Sequence, residues 1–480
     1  MKILLVEPGY KNKYPPLGLM KISAYHKFLG DEVIFVKGEN KSLRDKKWDR
    51  IYITTLFTFY WDKTIKTIQY YMNSVEKRKD IFIGGILATL LYEELYSEPS
   101  LQGITILRGL LDKPGILGDN EIIIDRITPD YDIIDVEENK YLKKEYKITN
   151  AYITSTTKGC IRKCNFCAVK TLEPDYCSYI DIKDQIRNIN QNYGEKRHLM
   201  LMDNNILASD KLNKIVDDLI QLGFGRNNKS YISANNRRLT RYIDFNQGID
   251  ARLITKDIMA LLSKLEIRPL RIAFDHADEE NVKLYINAQR LAAQFGFKTL
   301  SNYILFNFED TPYELYYRLK INIELNEEFK KKESKTKIWS FPMKYMPLTG
   351  RHCKDRKYVG KHWNKKLLRG IQCVLSATHG VVGPNKKFFE HAFGKDYNEF
   401  LMILYMPEEY IIHRKENTEN GNIKQYQMLY CSLNKIEITE FIMLIKDNIF
   451  ENDVLNDIKS LKLSQIYNLY IKEDKTNGKK

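Results

Sequence analysis

Residues 156–169 read TTKGCIRKCNFCAV. Cys160, Cys164 and Cys167 fall in one short loop with the spacing C-x3-C-x2-C. Three thiols this close cannot all pair as disulfides. A loop with such spacers can curl around a cube of iron and sulfide, and cysteine thiolates are the usual holders of such clusters. Soft sulfur ligands select iron–sulfur centres or zinc over hard cations. A cubane of four irons has one iron more than this loop has thiols, which leaves that iron open to a small molecule. The alternative is a structural zinc loop, which requires a fourth ligand; Cys177 is the nearest candidate.

Composition agrees with a metal site inside a globular enzyme-sized chain. The sequence has 480 residues, 43% of them hydrophobic, enough for a substantial buried core. Of seven cysteines, Cys177, Cys353, Cys373 and Cys431 are scattered. An odd count with one tight cluster argues for a reducing compartment, so the expected location is cytoplasmic. No run approaches the length of a membrane span, and the N-terminal MKILLVE is too short for a secretory core and leads into a strand pattern. The net charge of +14 allows an anionic partner such as RNA, nucleotide or an acidic carrier, although it is spread through a Lys-, Ile-, Asn- and Tyr-rich composition.

Upstream of the loop, short apolar runs alternate with helical spacing. Strands are expected at Lys2–Glu7, Glu32–Val36, Asp49–Thr54, Ile81–Gly85 and Ile104–Leu107, with helices at Leu17–Leu29 and Thr64–Val75 and through Leu95. This reads as a doubly wound parallel sheet over residues 1–113, whose ligands would sit beyond Pro8-Gly9, Thr54-Thr55 and Gly84-Gly85. Residues 114–150 carry Pro114, Gly115, Gly118 and Pro129 and read as a connection. From 151 to 349 the alternation returns in larger units. Strands are expected at Ala151–Ser155, Leu199–Met202, Tyr231–Ser233, Tyr242–Asn246, Leu270–Phe274, Thr299–Phe306 and Ile338–Met343. The helices between them include Leu315–Glu324. About six strand–helix units make a partial (β/α)6 barrel, with polar residues at the carboxyl ends of its strands. Residues 350–480 read as a mainly helical accessory domain, and the polar tail EDKTNGKK is expected to fray.

The cysteine loop directly after a strand, with Phe166 just before the last cysteine, resembles the radical SAM superfamily. The likeness covers Ala151 to about Pro347. PPLG at Pro15, GG at Gly84 and PDYD at Pro129 resemble the subgroup whose N-terminal Rossmann-like domain is of cobalamin-binding type. The C-terminal part lies outside the resemblance. What it implies is a [4Fe–4S] cluster on Cys160, Cys164 and Cys167, whose open iron chelates S-adenosylmethionine (SAM). Reductive cleavage then yields a 5′-deoxyadenosyl radical that abstracts hydrogen from a substrate, the electron coming from a donor such as flavodoxin or ferredoxin. Positioning supplies much of the catalysis and the cofactors the difficult chemistry. Phe166, Asp203, Asn204, Asn205, Gln247, Asp250, Arg252 and Asp275 are the implied SAM contacts. Asp203-Asn204-Asn205 stands where many members carry GGE, for the methionine amine. Gln247, Asp250 and Arg252, after what reads as the fourth strand, stand where members bind ribose and carboxylate. Asp275-His276, and after the following strand Asn307 and Glu309, complete the rim.

One departure stands out. Domains of this type often carry D-x-H-x-x-G after the first strand, its His ligating cobalt. Here the loop is EPGYKNKYPPLG, without His, and His26 falls in the next helix. His-on cobalamin is therefore not expected, while base-off binding and a vestigial domain both stay open. The alternatives in function are a cobalamin-dependent radical methyltransferase and an iron–sulfur module that binds nucleic acid or protein. The basic stretch Arg351–Arg369 motivates the latter, against a plain solvated surface. Cys353 and Cys373 are the remaining candidates for an auxiliary cluster, and Tyr303 for a radical relay as against packing. The residues do not name the substrate.

Overall fold

Lys2–Glu7 (β1) is buried along nearly its whole length, as the inner strand of a parallel sheet must be. Glu32–Lys37 (β2) and Arg50–Thr55 (β3) flank it, followed by Ile81–Gly85 (β4) and Thr105–Ile106 (β5). In the computed structural model, which describes residues 1–134 and 150–471, all neighbours in this sheet run parallel in the order β2-β1-β3-β4-β5. The helices Leu17–Phe28 and Trp61–Tyr71 lie in the crossovers, the first beginning after Pro15-Pro16. Residues 135–149 of the expected connection, and the tail EDKTNGKK, lie outside the described residues.

The chain divides into two compact units. The first comprises Met1–Arg271, Gln294–Phe297 and Met346–Tyr358; the second comprises Ile272–Ala293, Lys298–Tyr345 and the chain from Val359 onward. In the first, Ala151–Thr154 (β6), His198–Leu201 (β7) and Ile243–Phe245 (β10) form a parallel sheet in the order β10-β7-β6. The expected strand at Tyr231–Ser233 does not join it. Tyr231–Ile232 (β8) pairs antiparallel with Arg238–Leu239 (β9) in a separate hairpin whose turn holds Asn236 at φ +55°. Asparagine tolerates that left-handed conformation. The NQGIDAR stretch therefore follows the third parallel strand of this region, not the fourth.

Leu270–Arg271 (β11) is the last strand of the first unit, and Thr299–Phe306 (β12) and Lys337–Lys344 (β13) are the strands of the second. In the second unit β12 and β13 pair in parallel over their whole lengths. The helix Pro312–Lys331 starts with a capping box, Thr311 and Glu314, and Pro312 in its first turn. It runs past the expected end at Glu324 because Leu325 and Phe329 continue its buried face. Its Arg318 is fully buried and donates to the carbonyls of Phe274, Asp275, Leu305 and Glu314 and to Asp310. The fold is α/β followed by a mainly helical region. Helices such as Lys365–Ala377, Tyr397–Tyr405 and Lys435–Ile445 share one apolar core with Ile304, Phe306 and Leu315. Among the described residues no helix is long and apolar enough to cross a membrane.

Lys366 is buried in that helical core, its ammonium donating to the Met406 carbonyl at 2.5 Å. Burial pushes it down from 10.5 to about 8. Between those values the unfolded chain holds a proton that the folded chain has released, so stability rises with pH. The rise amounts to roughly 3 kcal/mol if completed, because each pH unit crossed adds about 1.4 kcal/mol. Urea midpoints measured from pH 7.5 to about 9.5, before unfolded tyrosines ionise near pH 10, should change with pH more favourably for the native chain than for a variant without this ammonium. Lys366→Met is that variant; an identical pH slope for the two chains would contradict the assignment.

Candidate cluster and cofactor site

The cysteine loop hangs from the carboxyl end of β6, and its start is held by one side chain from the end of β7. Pairing of Thr154 with Leu201 brings Asp203 beneath Thr156 and Thr157. The backbone N–H of Thr156 donates to both Asp203 oxygens, at 3.0 and 3.1 Å, and that of Thr157 to Oδ1 at 2.6 Å. Both threonine hydroxyls donate to Oδ1 as well, at 2.6 and 2.7 Å. Asp203 is buried; burial pushes its carboxyl up, against these donors, which pull it down.

The next residues are held in the same way. Gly159 N–H donates to Glu173 Oε2 at 2.7 Å, and Asn204 Nδ2 donates to the same oxygen at 2.7 Å. Gly159 has φ +70°, and a Cβ there would lie 2.4 Å from the Asp175 carbonyl, so only glycine fits this close approach. Lys158 and Cys177 exchange backbone hydrogen bonds, closing the loop at its far end. The Lys158 ammonium pairs with Asp125, which also takes Lys21 at 2.7 Å.

Within this frame the three thiols are half-buried, and none of the seven cysteines is in a disulfide. Cys160 Sγ accepts from Arg162 N–H at 3.3 Å and from Asn205 Nδ2 at 3.5 Å. Asn205 is buried, and its Oδ1 has no partner. A buried carbonyl oxygen without a donor is costly, and here it lies beside the loop that carries the thiols. Among the described residues no three His, Cys, Asp or Glu side chains close on a point in the manner of ligands around a single ion. Cys177 is exposed and directs its thiol at the Tyr179 carbonyl. The donor set is three soft thiols with a polar orphan beside them, which suits a cluster plus a small ligand better than a closed zinc site.

The other expected residues distribute unevenly. Phe166 is half-buried in the loop. Asp250 caps the turn Ala251–Leu253 and accepts a fork from Arg252, Nε at 2.7 Å and Nη2 at 3.0 Å. Arg162, from the cysteine loop, reaches the same carboxylate at 3.1 Å. Burial raises the Asp250 carboxyl, but the two guanidinium groups outweigh it and hold it below its ordinary value. Gln247 is exposed beside buried Asn246. Thus the first unit brings together Cys160, Asp203, Asn204 and Asn205, and through Arg162 adds Asp250 and Arg252. Asp275, His276, Asn307 and Glu309 belong to the second unit. Buried Asn307 there takes Gly360 N–H at 2.7 Å and donates to the Tyr345 carbonyl.

Glu173, Asn246 and Arg162 carry no signal in the sequence that marks them for the site. Tyr14, in the loop after β1, donates to Asn246 Oδ1 at 2.9 Å, a contact no local pattern announces. The basic stretch also differs from expectation. Half-buried Lys354 lies 3.5 Å over Trp61, exposed Arg356 lies 4.5 Å over Phe59, and Lys366 is buried, so these three cations are engaged with the protein itself. Cys353 and Cys373 sit in apolar cores, in the first and second unit respectively, where burial pushes both thiols up.

No protein-family model matches the sequence, and no curated protein matches it. Solved structures do share its fold. The cobalamin-dependent S-adenosylmethionine radical enzyme OxsB, with aqua-cobalamin and S-adenosylmethionine bound, superposes with a TM-score of 0.52 at 13% identity. That match covers 98% of this chain and 79% of that one. OxsB with aqua-cobalamin alone gives a TM-score of 0.46 at 13% identity, over 74% of this chain and about half, 54%, of that chain. The likeness is one of fold.

Asp203→Ala should leave the Thr156 and Thr157 donors buried and unmatched, at a cost of roughly 3 kcal/mol. Thermal unfolding would read the loss, and thiol labelling of Cys160 should quicken in the folded state. Asn204→Ala, whose residue is half-buried, should cost only about 1 kcal/mol. Equal effects from the two substitutions would contradict the assigned clasp.

Proposed function

We propose that this chain is a radical SAM enzyme that holds a [4Fe–4S] cluster on Cys160, Cys164 and Cys167 and cleaves S-adenosylmethionine reductively. The observation that carries the reading is the clasped loop of three thiols at the carboxyl end of β6, with the unpartnered Asn205 carbonyl beside Cys160. The shared fold supports it. A cluster bound there supplies one electron to the sulfonium, which breaks its bond to C5′ and leaves methionine and a 5′-deoxyadenosyl radical for hydrogen abstraction from the substrate.

The chain's own residues do the positioning. Asp203, Glu173 and the Lys158–Asp125 pair hold the loop in one conformation, so the thiolates need not be ordered when the cofactor arrives. Asn205 turns its N–H toward Cys160 and keeps Oδ1 for the ammonium of the methionine moiety. Arg252, already neutralised in part by Asp250, stands at the rim where a carboxylate is the natural partner. Asn204 and Phe166 shape the same wall, while Gln247 is proposed as a further contact of the nucleoside. The electron comes from a small donor such as flavodoxin or ferredoxin. No observation favours the methyltransferase or the nucleic-acid reading over this one.

Anaerobic loading with iron and sulfide, then dithionite and S-adenosylmethionine, should yield 5′-deoxyadenosine by mass spectrometry. Cys164→Ala should lose both the brown chromophore and cleavage. Asn205→Leu should keep the chromophore and weaken S-adenosylmethionine binding by roughly tenfold, about 1.4 kcal/mol. A fully loaded cluster without 5′-deoxyadenosine would refute the proposal.

A further inference from the structure

In an open sheet of order 2-1-3-4-5 the ligand crevice lies beyond the carboxyl ends of the first and third strands, where the winding reverses. Here that place is flanked by the loop after β1 and by the stretch Leu56–Tyr60 after β3. The chain's own aromatic side chains cluster there, Tyr10 buried and Phe59 and Tyr60 half-buried. Tyr10 is buried, stacks on Tyr60 at 4.7 Å between ring centroids, and shares a hydrogen bond with Thr64. Phe59 packs on Tyr60 at 4.9 Å and on Phe57 at 5.2 Å. Lys63 fixes the loop by donating to the Gly9 carbonyl at 2.8 Å.

A later segment of the same unit closes the cluster from outside. Residues 346–358 place Arg356 over Phe59 and Tyr60, at 4.5 and 5.5 Å, and Lys354 over Trp61. Next to Lys354 in sequence, Cys353 is buried in the core with Trp61, Ile53 and Ile83. Cations over aromatic faces add to the packing. The glycine pair is used internally too. A Cβ on Gly84 would lie 3.5 Å from that of Leu107, and one on Gly85 would lie 2.4 Å from the Thr55 carbonyl. Gly85 thus lets its strand approach Thr55, without need of a ligand, while Gly84 would accept a Cβ at ordinary contact distance. No histidine stands in the loop after β1. His26 is buried with one ring nitrogen on Asp31 at 2.7 Å and the other on Tyr52 at 3.0 Å, so neither is open to cobalt.

We infer that this domain of cobalamin-binding type takes no cobalamin, because Tyr10, Phe59 and Tyr60, capped by Arg356 and Lys354, occupy the crevice a ligand of this fold would enter. The two cations at its mouth also oppose aqua-cobalamin, itself a cation. The domain serves as scaffold for the cysteine loop and the rim of β10. Tyr14 reaches Asn246, and Lys21 and Lys158 share Asp125. The inference is independent of whether the chain cleaves S-adenosylmethionine, since its readout is ligand retention.

The test uses the full chain, reconstituted anaerobically and shown to be folded by a cooperative melt. It is incubated separately with hydroxocobalamin and with FMN, then desalted. Both ligands should separate completely from the protein, with absorption spectra unchanged by it. In parallel, Arg356→Ala and Lys354→Ala should each lower the melting temperature by about 1–2 °C in the absence of any ligand. Stoichiometric retention of the corrinoid or the flavin overturns the inference. So does an unchanged melting temperature for both variants, which would mean that the two cations do not close the crevice.

Discussion

A single buried carboxylate organises the candidate site. Asp203 lies one strand away from the cysteine loop, yet its two oxygens take four donors from Thr156 and Thr157. The parallel pairing of β6 with β7 makes this contact geometrically necessary: once Thr154 lies opposite Leu201, the two chain ends leave the sheet side by side. Backbone N–H groups leaving a sheet edge need acceptors, and a carboxylate is the strongest short one available. The loop thereby acquires a fixed root, and Glu173 and Asp125 then set its next two residues. Cofactor chemistry on flexible loops requires such anchoring, because a metal-binding loop that must order itself spends binding free energy on entropy.

Much of the fold is legible in the sequence because it is written locally. KILLVE, IFIGG and TLSNYILF are apolar runs bounded by turn residues, and each forms the expected strand. Tyr231–Ser233 misleads for the same local reason. Its composition suits a strand, but partner choice depends on the nearby turn at Asn236, which folds it back on Arg238–Leu239. In the site, the three cysteines are visible since their spacing is contiguous. Glu173, Arg162 and the Tyr14–Asn246 contact are not, since each depends on the register of strands far apart in sequence. In the basic stretch, composition does not tell where each cation goes. Its Lys354, Arg356 and Lys366 lie on aromatic rings or inside a core, places a charge count does not reveal.

The same reasoning separates the fold of the N-terminal domain from its chemistry. Sheet order and strand direction are those of a nucleotide- or corrinoid-binding domain, yet function resides in the site that a fold carries. Here Tyr10, Phe59 and Tyr60 cluster at the switch point, and contacts from the same domain reach the β10 rim and the cysteine loop.

The central claim is that the loop holds a cluster with one iron open to S-adenosylmethionine. Electron paramagnetic resonance of the reconstituted, dithionite-reduced chain tests it most directly. The account predicts the signal of a reduced [4Fe–4S] cluster whose g-values shift when S-adenosylmethionine is added. A chain that loads only zinc, or a cluster signal that S-adenosylmethionine leaves unmoved, would contradict it.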